Sequence, residues 1–205
     1  MSEKEKNTLN MIHLAAQKEF LEKGFKSASL RNIVKTAGVT TGAFYGYYKS
    51  KEDLFDALVG KQYDTFMGVF KETQEKFTHF SPEEQRANMG VQSGESLQEM
   101  AKYAYENFEA FKLLLCCSEG TKYENMVHEM VEIEVDATHK FAKVMESIGA
   151  PEYRVDPYLE HMIVSGMFSA YFEMIIHDVP YEKTKEYVNE LKEFHLAGWQ
   201  KIMGL

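Results

Sequence analysis

SLRNIVKTAGVTTGAFYGYYKSK, the sequence of residues 29–51, contains two runs of apolar residues at helical spacing with a break between them. The break falls at Gly38 and Val39, and the second run starts at Thr40. Two short helices joined by a tight turn are the simplest interpretation, which makes this stretch a helix-turn-helix. An ordinary helical hairpin is the alternative that the pattern leaves open.

The residues before and inside this stretch supply the stop and start signals that a three-helix head needs. A first helix is predicted over residues 3–24, with Gly24 as its end. Ser29 is a suitable N-cap for the second helix, because its hydroxyl can accept a hydrogen bond from a free backbone N–H. Gly38 suits a turn that needs a positive φ, which a larger residue would adopt only under steric strain.

The remainder of the chain also has helical periodicity, and no alternating run of β-branched residues predicts a strand. Helices are predicted at about 50–78, 82–106, 107–117, 121–148, 156–178 and 181–203. The expected fold class is therefore all-α with about nine helices. The predicted division is residues 1–49 for the helix-turn-helix domain and residues 50–205 for a larger helical domain.

Charge is divided unevenly between these two parts. The whole chain of 205 residues carries a formal net charge of −9, which excludes a protein that coats nucleic acid over its whole surface. Residues 1–60 nevertheless contain nine basic and seven acidic side chains, whereas the rest of the chain contains 14 and 25. This distribution favours a head that can approach DNA, joined to an acidic body that cannot.

Two cysteines, Cys116 and Cys117, are neighbours in sequence and cannot easily pair, since successive helical side chains point about 100° apart. Unpaired cysteines are typical of a reducing compartment. No charged and then apolar leader opens the chain, and no run of about 18 apolar residues occurs. A cytoplasmic protein with no membrane segment is therefore expected.

One helix face carries side chains of the kinds that bind metals: His128, Glu132, Asp136 and His139. At about 100° per residue this face lies opposite the apolar stripe of the same helix. A solvated surface is therefore the preferred interpretation, and no metal site or cofactor is expected. No nucleophile motif surrounds Ser165, Ser169 or the two cysteines. The sequence thus predicts that the chain is not an enzyme.

The second helix of the helix-turn-helix carries side chains that suit contact with DNA. Thr40 and Thr41 offer hydroxyls to base edges or phosphates, and Gly42 would allow the backbone to approach the duplex closely. Tyr45 and Tyr47 can reach phosphates through their hydroxyls. Each feature also has a plain structural interpretation, since threonines cap helices and tyrosines pack in cores.

Taken in order, the segment GVTTGAFYGYYKSKEDLF at residues 38–55 resembles the TetR family of bacterial transcriptional repressors. The family pattern leads from a Gly-Val turn through a Ser/Thr-x-Gly helix start to Lys-x-Lys-Glu-x-Leu, and the resemblance covers residues 8–58. By position, it implies DNA contacts from the following residues: Ser29, Arg31, Thr40, Thr41, Gly42, Tyr45, Tyr47 and Lys51. Tyr48 departs from the pattern, because phenylalanine is frequent there.

The resemblance further implies a ligand pocket in the second domain, which is rich in methionine and aromatic residues. From the sequence alone, such stripes are more often plain core. The implied ligand is a small apolar or aromatic molecule, held among helices four to eight. The candidate ligand-binding residues are Phe66, Phe70, Tyr103, Phe108, Phe111, Met126, Met130, Met162, Phe168 and Phe172.

The last two helices are predicted to form a homodimer, because small residues between positions 165 and 170 allow close helix approach. A symmetric dimer would present two recognition helices to a palindromic double-stranded DNA operator. The leading hypothesis is a ligand-responsive DNA-binding regulator, with repression as the expected sign of regulation. Two alternatives stay open: a helical small-molecule-binding protein or enzyme whose N-terminal hairpin is only structural, and a regulator without a ligand.

Overall fold

The computed structural model describes residues 2–205, with the backbone alone at residues 91–93. Within those residues the chain forms ten helices and no strand, which confirms the predicted all-α class. The helices are α1 Glu3–Ser27, α2 Leu30–Thr36, α3 Thr41–Tyr45, α4 Lys51–Thr78, α5 Pro82–Asn88, α6 Val91–Glu106, α7 Phe108–Cys116, α8 Met126–Ser147, α9 Pro157–Ile176 and α10 Tyr181–Met203.

The tenth helix arises because the single helix predicted over residues 82–106 is two helices, α5 and α6. Met89 leaves the helical region with φ −52° and ψ 119°, and Gly90 follows with φ +79°. A Cβ built on Gly90 would lie 2.8 Å from methyl carbons of Leu196, so no larger residue fits without a shift. Glycine at this position therefore allows both the positive φ and the close approach of α10.

The boundaries of the first helices differ slightly from the predicted ones. Helix α1 continues past its predicted end at Gly24 to Ser27, although Gly24 itself has φ +71° and interrupts the helical dihedral angles. Helix α3 begins at Thr41, since Thr40 has an extended backbone and its side chain accepts a hydrogen bond from Ala43 N. Thr40 is thus the N-cap of α3.

Two compact units make up the chain, and each has its own buried core. The head unit contains the residues up to Thr65 together with Asn107–Glu124, and the body unit contains Phe66–Glu106 and Asn125–Leu205. The chain therefore passes from one unit to the other three times. These limits do not test the predicted functional division at residues 49 and 50, which stays a prediction.

The core of the head unit is built from aromatic and aliphatic side chains on α1, α2, α3, α4 and α7. Phe55 on α4 makes edge contacts with the rings of Phe20 and Phe25, with ring centroids 5.2 and 5.3 Å apart. The fully buried residues include Ile12, Phe20, Ile33, Phe44, Leu54, Phe55, Phe111 and Leu113. Burial on this scale accounts for the stability of such short helices as α2 and α3, which would be marginal in isolation.

In the body unit, α8 packs along α9 and α10 packs along α6. Phe66 and Phe70 on α4 meet Phe172 and Phe168 on α9, with ring centroids 5.9 and 5.6 Å apart. Residues 2–205 include no helix that is long and apolar enough to cross a membrane.

His128, Glu132, Asp136 and His139 on the polar face of α8 are all exposed, as predicted, although two of them also contact residues near or on α9. His139 Nε2 lies 2.7 Å from Oε2 of Glu160, and the Tyr153 hydroxyl donates to Oε1 of the same carboxylate at 2.7 Å. Glu160 lies on α9 and is fully buried. Glu132 also faces α9, where a carboxylate oxygen lies 3.5 Å from Nδ1 of His161. Among the side chains that the structure describes, no group of three or more could hold a metal ion.

Candidate nucleic-acid interface and cavity

The turn between α2 and α3 is held by backbone hydrogen bonds and by one glycine. Val39 N donates to Val34 O at 3.2 Å, and Gly38 N donates to Lys35 O at 3.2 Å. Gly38 has φ +66°, as the sequence predicted for this turn. The hydrogen bonds satisfy the last carbonyls of α2 while the chain reverses, which fixes where α3 begins.

Helix α3 is attached to the head unit by a single fully buried side chain, Phe44. Its other side chains point away from the core, since Thr41, Gly42 and Ala43 are exposed and Tyr45 is 55% exposed. A short helix anchored by one ring and exposed over the rest of its circumference can enter a groove of DNA.

The predicted DNA-binding residues are placed as follows. Arg31 on α2 is exposed, as are Thr40, Thr41, Gly42 and Tyr45, whereas Ser29 and Tyr47 are half-buried. The Ser29 side chain also serves as the N-cap of α2 and accepts from Asn32 N at 3.5 Å. Seven of the eight residues therefore lie in or directly beside α2 and α3.

The eighth residue, Lys51, has a different position. Its Nζ donates to the backbone carbonyls of Phe25 at 2.7 Å and Ala28 at 3.0 Å, and lies 4.4 Å from the centre of the Phe25 ring. These carbonyls belong to the C-terminal end of α1, where unpaired acceptors and the helix dipole attract a cation. The structure thus gives Lys51 a capping role, while its phosphate contact stays a prediction.

Replacing Lys51 by methionine should therefore lower the free energy of unfolding, and this loss should be larger than the loss of DNA-binding free energy. The variant keeps the apolar stem but leaves the α1 carbonyls without their donor, which costs about 1.5–3 kcal/mol of unfolding free energy. Thermal denaturation followed by circular dichroism measures this change. Lys49→Met is the matched control, because Lys49 is exposed and its replacement removes the same charge. Equal melting temperatures for the two variants would contradict the capping role.

Glu19 holds the start of α2, a role that the sequence analysis missed. Its Oε1 accepts hydrogen bonds from Lys23 Nζ at 2.8 Å, from Ser29 N at 3.0 Å and from Asn32 Nδ2 at 3.3 Å. The hydrogen bond from Lys23 is the main cause that lowers the pKa of this carboxyl. In sequence, Glu19 and Lys23 look like an ordinary surface pair at i and i+4, so only the tertiary fold reveals the second and third partners, Ser29 and Asn32.

Tyr48, which departs from the family pattern, uses the hydroxyl that a phenylalanine would lack. Its Oη forms a hydrogen bond with Nε2 of His13 on α1. Burial lowers the pKa of His13, because the charged imidazolium is poorly solvated there. This hydrogen bond joins the end of the α3 region to α1.

A cavity of about 490 Å³ lies inside the body unit, a volume suited to a drug-sized ligand. Helices α4, α5, α6, α8, α9 and α10 all contribute to its wall. Its apolar lining includes Phe70, Phe77, Met100, Phe141, Phe168 and Trp199.

Two of the ten predicted ligand-binding residues, Phe70 and Phe168, line this cavity. The others lie elsewhere: Phe66, Met126, Met130 and Phe172 are buried in the body core, Met162 is 63% exposed, Tyr103 is half-buried, and Phe108 and Phe111 lie on α7 in the head unit. Spacing along one helix cannot separate a residue that fills the core from one that borders a cavity, because both point inward.

A few polar groups interrupt the apolar wall. Gln74 on α4 donates from Nε2 to Oε2 of Glu134 on α8 at 2.6 Å. Burial raises the pKa of Glu134 to about 7, because the charged carboxylate is poorly solvated there. His195 on α10 also lines the cavity, and burial lowers its pKa. The sequence analysis singled out none of these three residues.

Exposed apolar side chains are concentrated on α9 and α10. Tyr158 is 84% exposed and Met162 is 63% exposed on α9, and Phe194 is 73% exposed on α10. Tyr187, Leu191, Phe194 and Ile202 recur on α10 at spacings of three, four and eight, which places them on one face. Exposed apolar faces of this kind are typical of protein–protein interfaces.

The chain thus combines a helix-turn-helix whose second helix is exposed with a second unit that contains a cavity. Residues 12–58 match the family model described as bacterial regulatory proteins, tetR family. The resemblance inferred from residues 38–55 is thereby confirmed.

Two proteins that are named as regulators match part of the chain. The HTH-type transcriptional repressor BepR of Brucella suis is 41% identical over 54 residues, which is 26% of each chain. The HTH-type transcriptional regulator UidR of Escherichia coli K12 is 34% identical over 65 residues, 32% of this chain and 33% of UidR. The chain thus matches about a quarter of the length of BepR and a third of that of UidR. Both are named as regulators.

The fold extends over most of the chain. SCO3833 from Streptomyces coelicolor A3, a member of the TetR transcriptional regulator family, has a TM-score of 0.58 and 17% identity, and the match covers 91% of this chain and 90% of SCO3833. The fatty acid degradation regulator FadR from Bacillus halodurans has a TM-score of 0.52 and 16% identity, over 92% and 98% of the two chains. At these identities the likeness establishes the fold alone.

Proposed function

We propose that this protein is a homodimeric transcriptional repressor that leaves a palindromic DNA operator when a small apolar or aromatic molecule enters its cavity. The observation that carries the proposal is α3, whose exposed residues surround a single buried anchor, Phe44, within the segment that matches the family. The relative BepR is named a repressor, which supports the sign of regulation. Such a protein would act in the cytoplasm, where bacterial DNA lies.

Eight residues are proposed to contact DNA: Ser29, Arg31, Thr40, Thr41, Gly42, Tyr45, Tyr47 and Lys51. Arg31 and the tyrosine hydroxyls suit phosphates, and the start of α3 suits base edges in the major groove. Residues 1–49 would form the DNA-binding domain and residues 50–205 the ligand-binding and dimerisation domain. The acidic balance of residues 61–205, with 14 basic and 25 acidic side chains, supports this division, because an acidic body is repelled by phosphates.

The second copy is proposed to pair through α9 and α10. Their exposed apolar side chains support this choice, since a monomer would leave Tyr158, Met162 and Phe194 in water. A two-fold dimer would place its recognition helices about 34–36 Å apart, one turn of DNA. The ligand would weaken DNA binding by binding more tightly to a dimer geometry that does not fit the operator. Its difference in affinity for the two geometries sets the size of this effect.

Fluorescence anisotropy with labelled DNA from upstream of the protein's own gene tests the proposal. We expect tighter binding to this fragment than to a shuffled sequence of equal length, and an affinity that falls steeply between about 50 and 200 mM salt. Equal affinity for both fragments, or none for either, would overturn it.

The two alternatives predict other results. A structural hairpin on an enzyme or carrier predicts no DNA binding, and the comparisons do not favour it. A regulator without a ligand predicts no stabilisation by any small molecule, whereas a specific ligand raises the melting temperature by mass action. The cavity of about 490 Å³ supports a regulator that binds a ligand.

A further inference from the structure

Glu134 is the one acidic side chain that the described lining of the cavity contains. Gln74 Nε2 donates to its Oε2 at 2.6 Å. In the described part of the chain, no second hydrogen bond and no ion pair engages this carboxyl group. Its Oε1 is therefore available to a molecule inside the cavity, while the bond to Gln74 fixes the orientation of the group.

The wall around this carboxyl group is rich in aromatic rings and thioethers. The rings are those of Phe70, Phe77, Phe141, Phe168 and Trp199, and the thioethers are those of Met89, Met100, Met167 and Met203. The negative face of an aromatic ring attracts a cation, and this attraction increases where water is excluded. Methionine adapts to apolar bodies of varied shape. A cavity lined by one acid and several aromatic rings favours a cation with an apolar body.

The other ionisable groups of the wall come from two helices. Lys140 and Lys143 on α8 are exposed, and Lys140 Nζ pairs with Asp136 at 2.5 Å, so their stems border the cavity while their charges reach water. Lys192 on α10 packs its stem against Gly94, and no described ion pair joins it to Glu134. Burial lowers the pKa of His195, which disfavours its charged form. The described lining from α4, α6 and α9 contributes no charged group.

We propose that the cavity binds an apolar or aromatic molecule that carries a basic nitrogen, with the ammonium group on Oε1 of Glu134 and the apolar body among the aromatic rings. This inference rests on the proposed function, in which the cavity is the regulatory site. It makes Glu134 the residue that determines specificity and Gln74 the residue that positions it.

The ionisation of Glu134 gives the proposal a pH signature. Its pKa of about 7 means that the empty site holds a proton on roughly half of the molecules at neutral pH. An ammonium ligand binds the carboxylate, so below that pKa binding must first expel the proton. The dissociation constant for an amine should therefore rise about tenfold from pH 8 to pH 6. An uncharged ligand of the same shape should not show this rise.

Isothermal titration calorimetry with dodecylamine, dodecanol and dodecanoate separates the ligand classes, because these probes share one chain and differ in the head group. We expect wild-type protein at pH 8 to bind dodecylamine at least about tenfold more tightly than the other two, or ~1.4 kcal/mol. Glu134→Gln should abolish that preference and keep dodecanol affinity, since glutamine retains an acceptor for Gln74 and a similar volume. Glu132→Gln is the control, because Glu132 is exposed on the same helix.

Three results would overturn the ligand class: dodecanol or dodecanoate binding as tightly as dodecylamine, an unchanged preference in Glu134→Gln, or no binding of any probe. Retained dodecanol affinity in Glu134→Gln excludes simple unfolding as the cause of a lost preference. Fluorescence anisotropy with labelled DNA and no ligand tests the proposed function separately. Specific DNA binding that only dodecanol or dodecanoate releases would refute the amine and leave the regulator intact, whereas absent DNA binding would refute the regulator whatever the calorimetry gives.

Discussion

Replacing Gly42 by glutamate is expected to weaken binding to the operator about a hundredfold, or ~2.7 kcal/mol, without lowering the stability of the protein. Gly42 lies in the first turn of α3 and is exposed. A Cβ built on it meets nothing within 4 Å, so a side chain fits the unbound protein. Bound DNA would occupy that space, and a carboxylate there would face phosphates.

The same substitution should slightly raise the stability of the unbound protein. Glutamate favours a helix over glycine by about 0.5 kcal/mol or more, and a negative charge in the first turn interacts well with the helix dipole. The melting temperature should therefore stay level or rise while DNA affinity falls. Opposite directions in the two measurements would distinguish loss of an interface from loss of the fold.

Gly68→Glu provides the matched control. Gly68 lies on α4, is exposed, and has nothing within 4 Å of a built Cβ, so both variants add the same charge at an open position. Anisotropy on one labelled fragment and thermal denaturation of both proteins complete the comparison. If the two variants bind DNA equally well, α3 is not the surface that enters the groove.

The head could be predicted closely from the sequence because its signals are local. A positive φ at Gly38, caps at Ser29 and Thr40, and the buried anchor Phe44 each depend on residues fewer than five positions away. Lys51 could not be placed in this way. Its carbonyl partners at Phe25 and Ala28 lie more than twenty positions earlier, so its capping role exists only in the folded chain.

The cavity was harder to predict because one helix supplies both core and lining. Phe66 and Phe70 are one turn apart on α4, yet only Phe70 borders the cavity. Whether such a residue borders the cavity depends on the space that α8 and α10 leave unfilled opposite it. The sequence pattern of a single helix does not contain this information. Glu134 did leave a signal: it lies four residues after Met130 and seven before Phe141, on the apolar stripe of α8. A charged residue inside an apolar stripe is the more informative observation.

Phe194→Glu is expected to convert the proposed dimer into a folded monomer. Phe194 is 73% exposed on α10, so its ring contributes little to the core of one chain, and replacing it should not unfold the protein. In a dimer the ring would be buried, and a carboxylate would have to lose its water there without a partner. The dimer dissociation constant should rise at least about a hundredfold, which light scattering coupled to size-exclusion chromatography measures.

Loss of the dimer should also weaken DNA binding, because one head contacts only half of a palindromic site. The loss of the second head removes its phosphate contacts, so the salt dependence of affinity should become shallower as well as the affinity weaker. Gln200→Glu is the control: it adds the same charge on α10 at an exposed position about 120° around the helix. A Phe194→Glu protein that remains dimeric would place the interface elsewhere. One that is monomeric but binds the operator as tightly as the wild type would show that the two heads do not act together.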